Sequence, residues 1–176
     1  AMGWSNWLMK NNIPFESGGF NSASSWNHRI FSQIKQQAVE ESEKLAKERG
    51  EPSDCIGTGR RNSHLLAIAP NANSSILCNT TPGIEPIHSN AYPQKTRAGV
   101  HLVKNKYLVP VLEAYGKNDT ETWNTIVKNS GSVQHLDFLS EHEKNVFKTF
   151  KEINQMWVVE HAGERQQYIC QSQSVN

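Results

Sequence analysis

The sequence has few cysteines, almost no net charge and no long apolar run, and each absence excludes a class of protein. Three cysteines in 176 residues, none in a Cys-x-x-Cys arrangement, are too few and too dispersed for a disulfide framework or a zinc cluster. A formal net charge of +1 removes the electrostatic basis for general nucleic-acid binding. No apolar stretch reaches the ~18 residues of a membrane span, so we expect no membrane partner. We therefore expect a reducing, cytoplasmic setting.

Apolar residues make up only 36% of the chain, and uncharged polar residues are numerous, with 17 Asn, 17 Ser and 10 Gln. Five Trp, six Phe and four Tyr nevertheless predict a folded core, because disordered segments are poor in aromatic residues. The length suits one domain. The sequence contains neither G-x-x-x-x-G-K-[ST] nor G-x-G-x-x-G, which excludes the P-loop and Rossmann modes of phosphate binding. The seven histidines are dispersed, so we expect no metal site.

Hydrophobic periodicity predicts a first long helix over residues 26–49. Its apolar residues recur at spacings of three, four and seven, which places them on one stripe. Ser24 or Ser25 is the expected N-cap, and Gly50 is the expected end.

A second long helix is predicted over residues 140–161, where Ser140 and Glu143 have the spacing of a capping box. Shorter helices are expected over 120–128 and, interrupted by a proline, over 101–113. Residues 167–175 are expected to form a strand.

The segment 64–69 (HLLAIA) is a short apolar run without alternation, which predicts a strand buried on both faces. The residues after it, 71–75, are Asn-Ala-Asn-Ser-Ser and favour the start of a helix. A strand that leads into a helix start is typical of α/β proteins, and the first N–H groups of that helix can bind an anion. The same cluster can be no more than a turn and a cap, so the pattern leaves both interpretations open.

Five stretches of the chain, in order and in register, resemble the large (catalytic) subunit of ribonucleotide reductase. The first combines two short pieces, Pro14–Ser17 and Leu45–Glu48, and the other four are Arg61–Ser75, Thr81–Pro86, Asn129–Gln134 and Gln171–Asn176. The resemblance covers essentially all 176 residues. The sequence is similar to the class I enzymes, and to their bacteriophage branch in particular. Both ends of the chain lie inside expected elements, so we expect a fragment of a longer polypeptide.

The resemblance implies an α/β fold in which residues 1–176 form part of one catalytic domain. That part is a C-terminal segment of a ten-stranded α/β barrel, rich in helices and with few strands. It also implies the reduction of ribonucleoside diphosphates to deoxyribonucleoside diphosphates by thiyl-radical chemistry.

The substrate diphosphate is implied to bind a Pro-led loop made of Asn71, Ala72, Asn73, Ser74 and Ser75. Ser74 and Ser75 match the family's hydroxyl positions, whereas Asn71 and Asn73 stand where many members have Ser or Thr.

The family's radical cysteine lies in an Asn-x-Cys-x-Glu motif, which does not occur here. None of Cys55, Cys78 and Cys170 has the context of a catalytic cysteine, so we expect no catalytic residue and no activity of this chain alone. We also expect no cofactor bound by this segment, because the full enzyme takes its radical from a small metal-containing subunit. The implied partners are the rest of the large subunit, that small subunit and a thioredoxin- or glutaredoxin-type reductant.

Two alternatives stay open. An adenosylcobalamin-dependent reductase would share the stretch Gly83–Pro86, although the ending over residues 171–176 is more similar to class I. A stand-alone nucleotide-binding module, or one part of a split subunit, would also account for the abrupt ends.

Overall fold

The computed structural model describes residues 1–97 and 99–174, which fold into two compact units. The first unit contains Ala1–Ser17 and Asn71–Trp157, and the second contains Gly18–Pro70 and the chain from Val158 onward. That both units belong to one barrel domain stays a prediction. Among the described residues, we find no helix with both the length and the apolar character needed to cross a membrane.

Helices dominate, and a single pair of strands is assigned in the described part of the chain. In chain order the elements are α1 (Trp4–Lys10), α2 (Ala23–Arg49), a short 3-10 helix (Ser53–Cys55), α3 (Ala72–Leu77), β1 (Ala91–Thr96), β2 (Gly99–Lys104), α4 (Val109–Ala114), α5 (Thr120–Lys128), α6 (Glu141–Val146) and α7 (Met156–Gln166).

The two strands form an antiparallel hairpin in the first unit. Their register runs from Ala91 opposite Lys104 to Thr96 opposite Gly99. The helix predicted over 101–113 is therefore wrong in its first half, because residues 101–104 pair with β1. The helical part begins only at Val109, and Pro110 lies in the first turn of α4, where no backbone N–H is needed.

The core of the first unit surrounds Trp123 and Ile126 on α5, both fully buried. The Trp123 ring satisfies its one polar atom, because Nε1 donates to Asn118 Oδ1 at 2.7 Å. Other members of this cluster come from α1, β1, α4, α6 and the loops beside them: Met9, Ala91, Leu108, Leu112, Val133, Leu136, Leu139, Val146 and Phe147. The helix predicted over 120–128 is confirmed with these bounds.

Asp119 caps α5, since its Oδ1 accepts the Thr122 N–H at 2.7 Å. That hydrogen bond holds the pKa of the Asp119 carboxyl below its usual value. We expect Asp119→Ala to destabilise α5, because it leaves that N–H without its capping acceptor. Hydrogen exchange of the first-turn amides of α5 measures this effect. Asp119→Asn keeps a capping oxygen and is expected to lose much less, and equal losses in both variants would contradict the assignment.

The helix predicted over 140–161 is wrong as a single element. Its start is confirmed, because Ser140 and Glu143 form the predicted capping box. The Phe147 N–H still bonds to the Glu143 carbonyl at 3.0 Å, but the next groups that would continue the helix bond to other segments. The Phe147 carbonyl accepts from Asn90 Nδ2 at 2.8 Å, and the Phe150 N–H donates to the Ile87 carbonyl at 2.8 Å. Helical structure resumes only in α7.

Helix α2 is the main element of the second unit, and its predicted extent is largely confirmed. Ser22, not Ser24 or Ser25, is the N-cap, and it forms a capping box with Ser25. Gly50 ends the helix as predicted, with its N–H bonded to the Ala46 carbonyl. Phe31 is buried, whereas Ile34 of the predicted apolar stripe is 38% exposed.

The segment 64–69 is extended, but the prediction that both its faces are buried is wrong. Its backbone pairs in parallel with residues 171–174 through one bridge, Ile68 to Gln173. Of the predicted strand only Ile68 is buried. In the described part of the chain this segment has a partner on one side only, and burial on both faces needs neighbours on both sides. The predicted strand over 167–175 is reduced to this bridge, and Val175 and Asn176 lie outside the described residues.

A buried arginine joins α7 to the rest of the second unit. Arg165 is 1% exposed; its Nη1 donates to Asn27 Oδ1 at 2.7 Å and its Nε donates to Gln173 Oε1 at 3.0 Å. Burial lowers the pKa of Arg165 to about 10, against the opposing charge of Glu164. The guanidinium also lies over the Phe31 ring. These contacts secure the segment 171–174 beside Ile68.

Candidate phosphate-binding site

The predicted phosphate loop is the start of a short helix, as the sequence indicates. Asn71 precedes α3, and the Ser75 N–H makes the first intrahelical bond, to the Asn71 carbonyl at 2.9 Å. The Asn71 side chain does not cap the helix, contrary to the capping pattern. The N–H groups of Ala72, Asn73 and Ser74 are the ones that a helix start leaves without intrahelical acceptors.

The five predicted site residues differ in exposure. Ala72, Asn73 and Ser74 are exposed, Asn71 is half-buried and Ser75 is 4% exposed. The Ser75 hydroxyl donates to the Ala72 carbonyl at 2.7 Å, so it supports the turn from inside. Ser74 is the hydroxyl that is left accessible to a ligand, while Ser75 is a structural member of the loop.

Backbone hydrogen bonds to residues 80–83 hold the loop in place. The Asn71 N–H donates to the Pro82 carbonyl at 3.2 Å, and the Thr80 N–H donates to the Ser75 carbonyl at 3.0 Å. Thr81 is held in turn, because its N–H donates to Asn6 Oδ1 at 2.9 Å. The Thr81–Pro86 motif therefore supports the loop through the bond from Asn71 to Pro82. A loop held in this way presents its N–H groups without further ordering.

Residues 71–75 contain no Lys or Arg, so the electrostatic attraction that they themselves offer an anion comes from the backbone. The partial positive charge at a helix start and its unbonded N–H groups supply that attraction. The prediction is therefore of a phosphate held by hydrogen bonds and not by an ion pair with residues 71–75.

A cavity of about 550 Å³ opens beside this helix within the first unit. Of the predicted site residues only Ser75 lines it, together with Asn79, Thr81 and other residues of the supporting segment. Thr81 Oγ1 is a buried hydroxyl without a hydrogen-bonding partner among the described residues. The cavity is thus next to the loop but does not coincide with its exposed N–H groups.

Two lysines and a histidine that the sequence interpretation left without a role also line this cavity: Lys104, Lys106 and His88. Lys106 Nζ donates to the Asn79 carbonyl at 2.7 Å, at the end of α3 opposite the phosphate loop. Lys104 Nζ lies 4.9 Å from the Trp123 ring centroid. Lys104 and Lys106 are near neighbours in the sequence, but no local pattern indicated that they line a cavity.

The three cysteines lie in separate places. Cys55 is buried in the 3-10 helix, Cys78 is exposed at the end of α3, and Cys170 is half-buried after α7. Within residues 1–97 and 99–174, no group of three or more His, Cys, Asp or Glu side chains is placed to hold a metal ion.

These features are typical of an α/β protein, in which an extended segment is followed by a helix start with exposed N–H groups. Comparison with known proteins is more specific. The family model for the ribonucleotide reductase barrel domain matches residues 1–55 and 53–176. The chain therefore belongs to the ribonucleotide reductase large-subunit family, and it carries part of that barrel domain.

Individual relatives support the same family. A protein of Frog virus 3 named as a ribonucleoside-diphosphate reductase large subunit is 47% identical over 176 residues, which are all of this chain and 31% of that protein. The ribonucleoside-diphosphate reductase large subunit of Invertebrate iridescent virus 6 is 46% identical over 181 aligned residues, covering 100% of this chain and 19% of that protein.

A solved structure gives the same result. The class Id ribonucleotide reductase alpha subunit of Actinobacillus ureae superposes with a TM-score of 0.90 at 43% identity, covering 99% of this chain and 31% of that one. The helix-rich fold with two strands is thus a partial α/β barrel, as the resemblance implied. The chain spans about a third or less of the length of these relatives.

The relatives also decide between the alternatives. They are named as ribonucleoside-diphosphate reductase large subunits and as a class Id alpha subunit, so neither an adenosylcobalamin-dependent enzyme nor a separate nucleotide-binding module is favoured. They come from animal viruses and a bacterium, so the similarity to the bacteriophage branch stays a prediction.

Proposed function

We propose that this chain is part of an enzyme that reduces ribonucleoside diphosphates to deoxyribonucleoside diphosphates by thiyl-radical chemistry. In this proposal residues 71–75 bind the diphosphate of the substrate. The radical cysteine and the redox cysteines belong to other parts of the full-length subunit, and Cys55, Cys78 and Cys170 have no catalytic role.

The exposed start of α3 is the observation that carries the phosphate assignment. Ala72, Asn73 and Ser74 offer three successive N–H groups, and the Ser74 hydroxyl adds a fourth donor beside them. The hydrogen bonds to Thr80 and Pro82 keep these donors together before a ligand arrives. A preformed set of donors suits a diphosphate, whose oxygens accept hydrogen bonds in several directions.

Family membership supports a role for the chain together with the rest of its large subunit. We further propose a small metal-containing subunit as the source of the radical, with no cofactor bound by residues 1–176 themselves. A thioredoxin- or glutaredoxin-type protein would return the electrons used in each turnover. We place this reaction in the cytoplasm, because thiol reductants of that kind act in a reducing compartment.

Ser74→Asp in the full-length enzyme tests the phosphate assignment. The new carboxylate lies where the helix start is expected to bind the phosphate, so it competes for the same N–H groups and repels the substrate. We expect affinity for a nucleoside diphosphate to fall at least about tenfold, which corresponds to about 1.4 kcal/mol. Equilibrium dialysis with a labelled nucleoside diphosphate measures it directly.

Ser74→Asn is the matched control, because it is neutral and of nearly the same size as Asp. It is expected to retain substrate affinity within a few-fold. If both variants bind nucleoside diphosphate as tightly as the unmodified enzyme, residues 71–75 do not form the phosphate site. If both lose affinity equally, the effect is steric and the electrostatic argument is wrong.

A further inference from the structure

A lysine and a cysteine that the proposed reaction does not use lie in direct contact in the second unit. Lys35 is on α2 and Cys170 follows α7, and Lys35 Nζ is 2.7 Å from Cys170 Sγ. This separation is at the short end of the range of about 2.7–3.2 Å for N–H···O bonds, although sulfur is larger than oxygen. Both side chains are half-buried, so small molecules can still reach the sulfur.

The surroundings of Cys170 stabilise the thiolate. Burial alone would raise the pKa of the Cys170 thiol, but the hydrogen bond from Lys35 and the backbone N–H groups of Leu65 and Leu66 lower it to about 7. A thiol with this pKa is about half ionised at neutral pH, against a few per cent for an ordinary cysteine. Because the thiolate is the reactive form, Cys170 combines reactivity with access.

We propose that Lys35 and Cys170 form an oxidation-dependent covalent cross-link, with hydrogen peroxide as the oxidant. The cation next to the sulfur is also a nucleophile once it loses a proton, and it is already at contact distance. A sulfenic acid formed on Cys170 would therefore meet an amine before a second thiol could reach it. Sulfenic acids condense with nitrogen nucleophiles to sulfenamides.

The reaction is balanced by one peroxide. The Cys170 thiolate attacks one peroxide oxygen, the O–O bond breaks, an S–O bond forms, and the departing hydroxide takes a proton from the Lys35 ammonium to become water. The Lys35 amine then attacks sulfur, an S–N bond forms, the S–O bond breaks, and the hydroxyl leaves with the amine proton as a second water. Sulfur loses two electrons and the peroxide gains two. Two molecules of an added thiol restore both side chains and leave as a disulfide.

The cross-link would join α2 to the segment that pairs with residues 66–68. Gln171 donates its N–H to the Leu66 carbonyl, and Ile68 donates to the Ser172 carbonyl, directly after Cys170. In the unmodified protein the contacts that hold this segment are non-covalent, and they include the hydrogen bond of Arg165 with Gln173. Oxidation would replace the Lys35–Cys170 hydrogen bond by a bond that must break before the segment can separate from α2.

Peptide mass spectrometry of the full-length protein, before and after hydrogen peroxide, tests the proposal. We expect a linked pair of peptides that contain Lys35 and Cys170, lighter than their sum by two hydrogens, and we expect dithiothreitol to release it. A linked pair that retains one oxygen also supports the proposal, because a second peroxide can transfer an oxygen to the sulfur of the cross-link and leave as water. We expect no linked peptide at Cys78, which is exposed at the end of α3.

Two variants separate the roles of the lysine. Lys35→Arg keeps a cation beside the sulfur but supplies no amine, so Cys170 should still be oxidised, without a linked peptide. Lys35→Gln removes the cation, and we expect oxidation of Cys170 to slow about three- to tenfold, because the gain in thiolate is partly offset by its lower nucleophilicity. Failure of Cys170 to oxidise, its oxidation without a link to Lys35, or an unchanged link in Lys35→Arg would each overturn the proposal.

Discussion

Replacing Gly131 with alanine is expected to destabilise the first unit by about 3–5 kcal/mol. Gly131 has φ +83°, a left-handed conformation that costs about 1–2 kcal/mol for a residue with a Cβ. An added Cβ would also lie 1.8 Å from Ser89 Oγ and 2.7 Å from the Ser89 Cα. The hydroxyl can rotate away, but the backbone atom cannot move without shifting its neighbours.

The shift would reach a buried hydrogen-bond network. Both the backbone N–H and the side-chain Nδ2 of Asn90 donate to the Gly131 carbonyl, at 3.1 and 3.0 Å. Asn90 is fully buried, and its Oδ1 accepts from Asn105 Nδ2 at 2.8 Å. Moving Gly131 away from Ser89 pulls on these bonds, and a buried polar group that loses its partner costs about 1–3 kcal/mol.

Gly116→Ala is the matched control in the same unit. Gly116 also has a positive φ, +65°, but nothing lies within 4 Å of its hypothetical Cβ. We expect it to lose about 1–2 kcal/mol from backbone strain alone. Hydrogen exchange of the α5 amides in the full-length protein measures both, since 1.4 kcal/mol corresponds to about tenfold in the exchange rate of an amide that recloses faster than it exchanges. Similar losses in the two variants would contradict a role for the contact with Ser89.

Acid is expected to destabilise the second unit by about 3 kcal/mol between pH 6.5 and pH 4. His161 on α7 is fully buried, and burial lowers its pKa to about 4, against the opposing effect of Glu164. The unfolded chain takes up a proton on this histidine near pH 6.5, whereas the folded chain does so only near pH 4. The contribution of His161 to stability is therefore complete above pH 6.5 and is lost as the pH falls to about 4.

His161→Gln removes the titration while keeping a polar side chain. We expect this variant to be less stable at neutral pH, because the shape of the buried site changes, but to lose less stability between pH 6.5 and pH 4. Hydrogen exchange of the α7 amides across that range, corrected for the intrinsic pH dependence of exchange, measures the difference in slope. Parallel curves for the two proteins would show that His161 does not titrate in this way.

Local signals in the sequence predicted the helices that are stabilised locally. Helix α5 lies where its pattern indicates, because Asp119 caps it and Trp123 and Ile126 share one apolar face. Helix α2 ends at Gly50 for a local reason too, because glycine readily adopts the backbone conformation that ends a helix.

Predictions failed where distant residues supply the hydrogen-bond partners. Val146, Phe147 and Phe150 continue a helical pattern, yet Asn90 and Ile87 take the backbone groups of residues 147 and 150, and the helix stops. No window of sequence around residue 147 contains Asn90. The hairpin partner of residues 99–104 is likewise specified by pairing with β1 and not by their own periodicity.

The phosphate loop could be proposed from the sequence because its chemistry belongs to a helix start, which local residue types indicate. The sequence could not predict that Ser74 is exposed and Ser75 is buried, because burial depends on what packs against the turn. The positively charged lining of the cavity could not be predicted from the sequence either, since the cavity combines residues from α3, the hairpin and the segment around His88.

The sequence by itself determined membership of the ribonucleotide reductase large-subunit family, helices α2 and α5, and the helix start at residues 71–75, since these depend on motifs and on contacts between near neighbours. The tertiary structure alone decided where the predicted helix over 140–161 breaks, which serine faces solvent, and that Lys35 meets Cys170 across 135 residues of chain. The physical reason is that burial and long-range hydrogen bonds depend on residues distant in the chain, and local patterns carry no information about those partners.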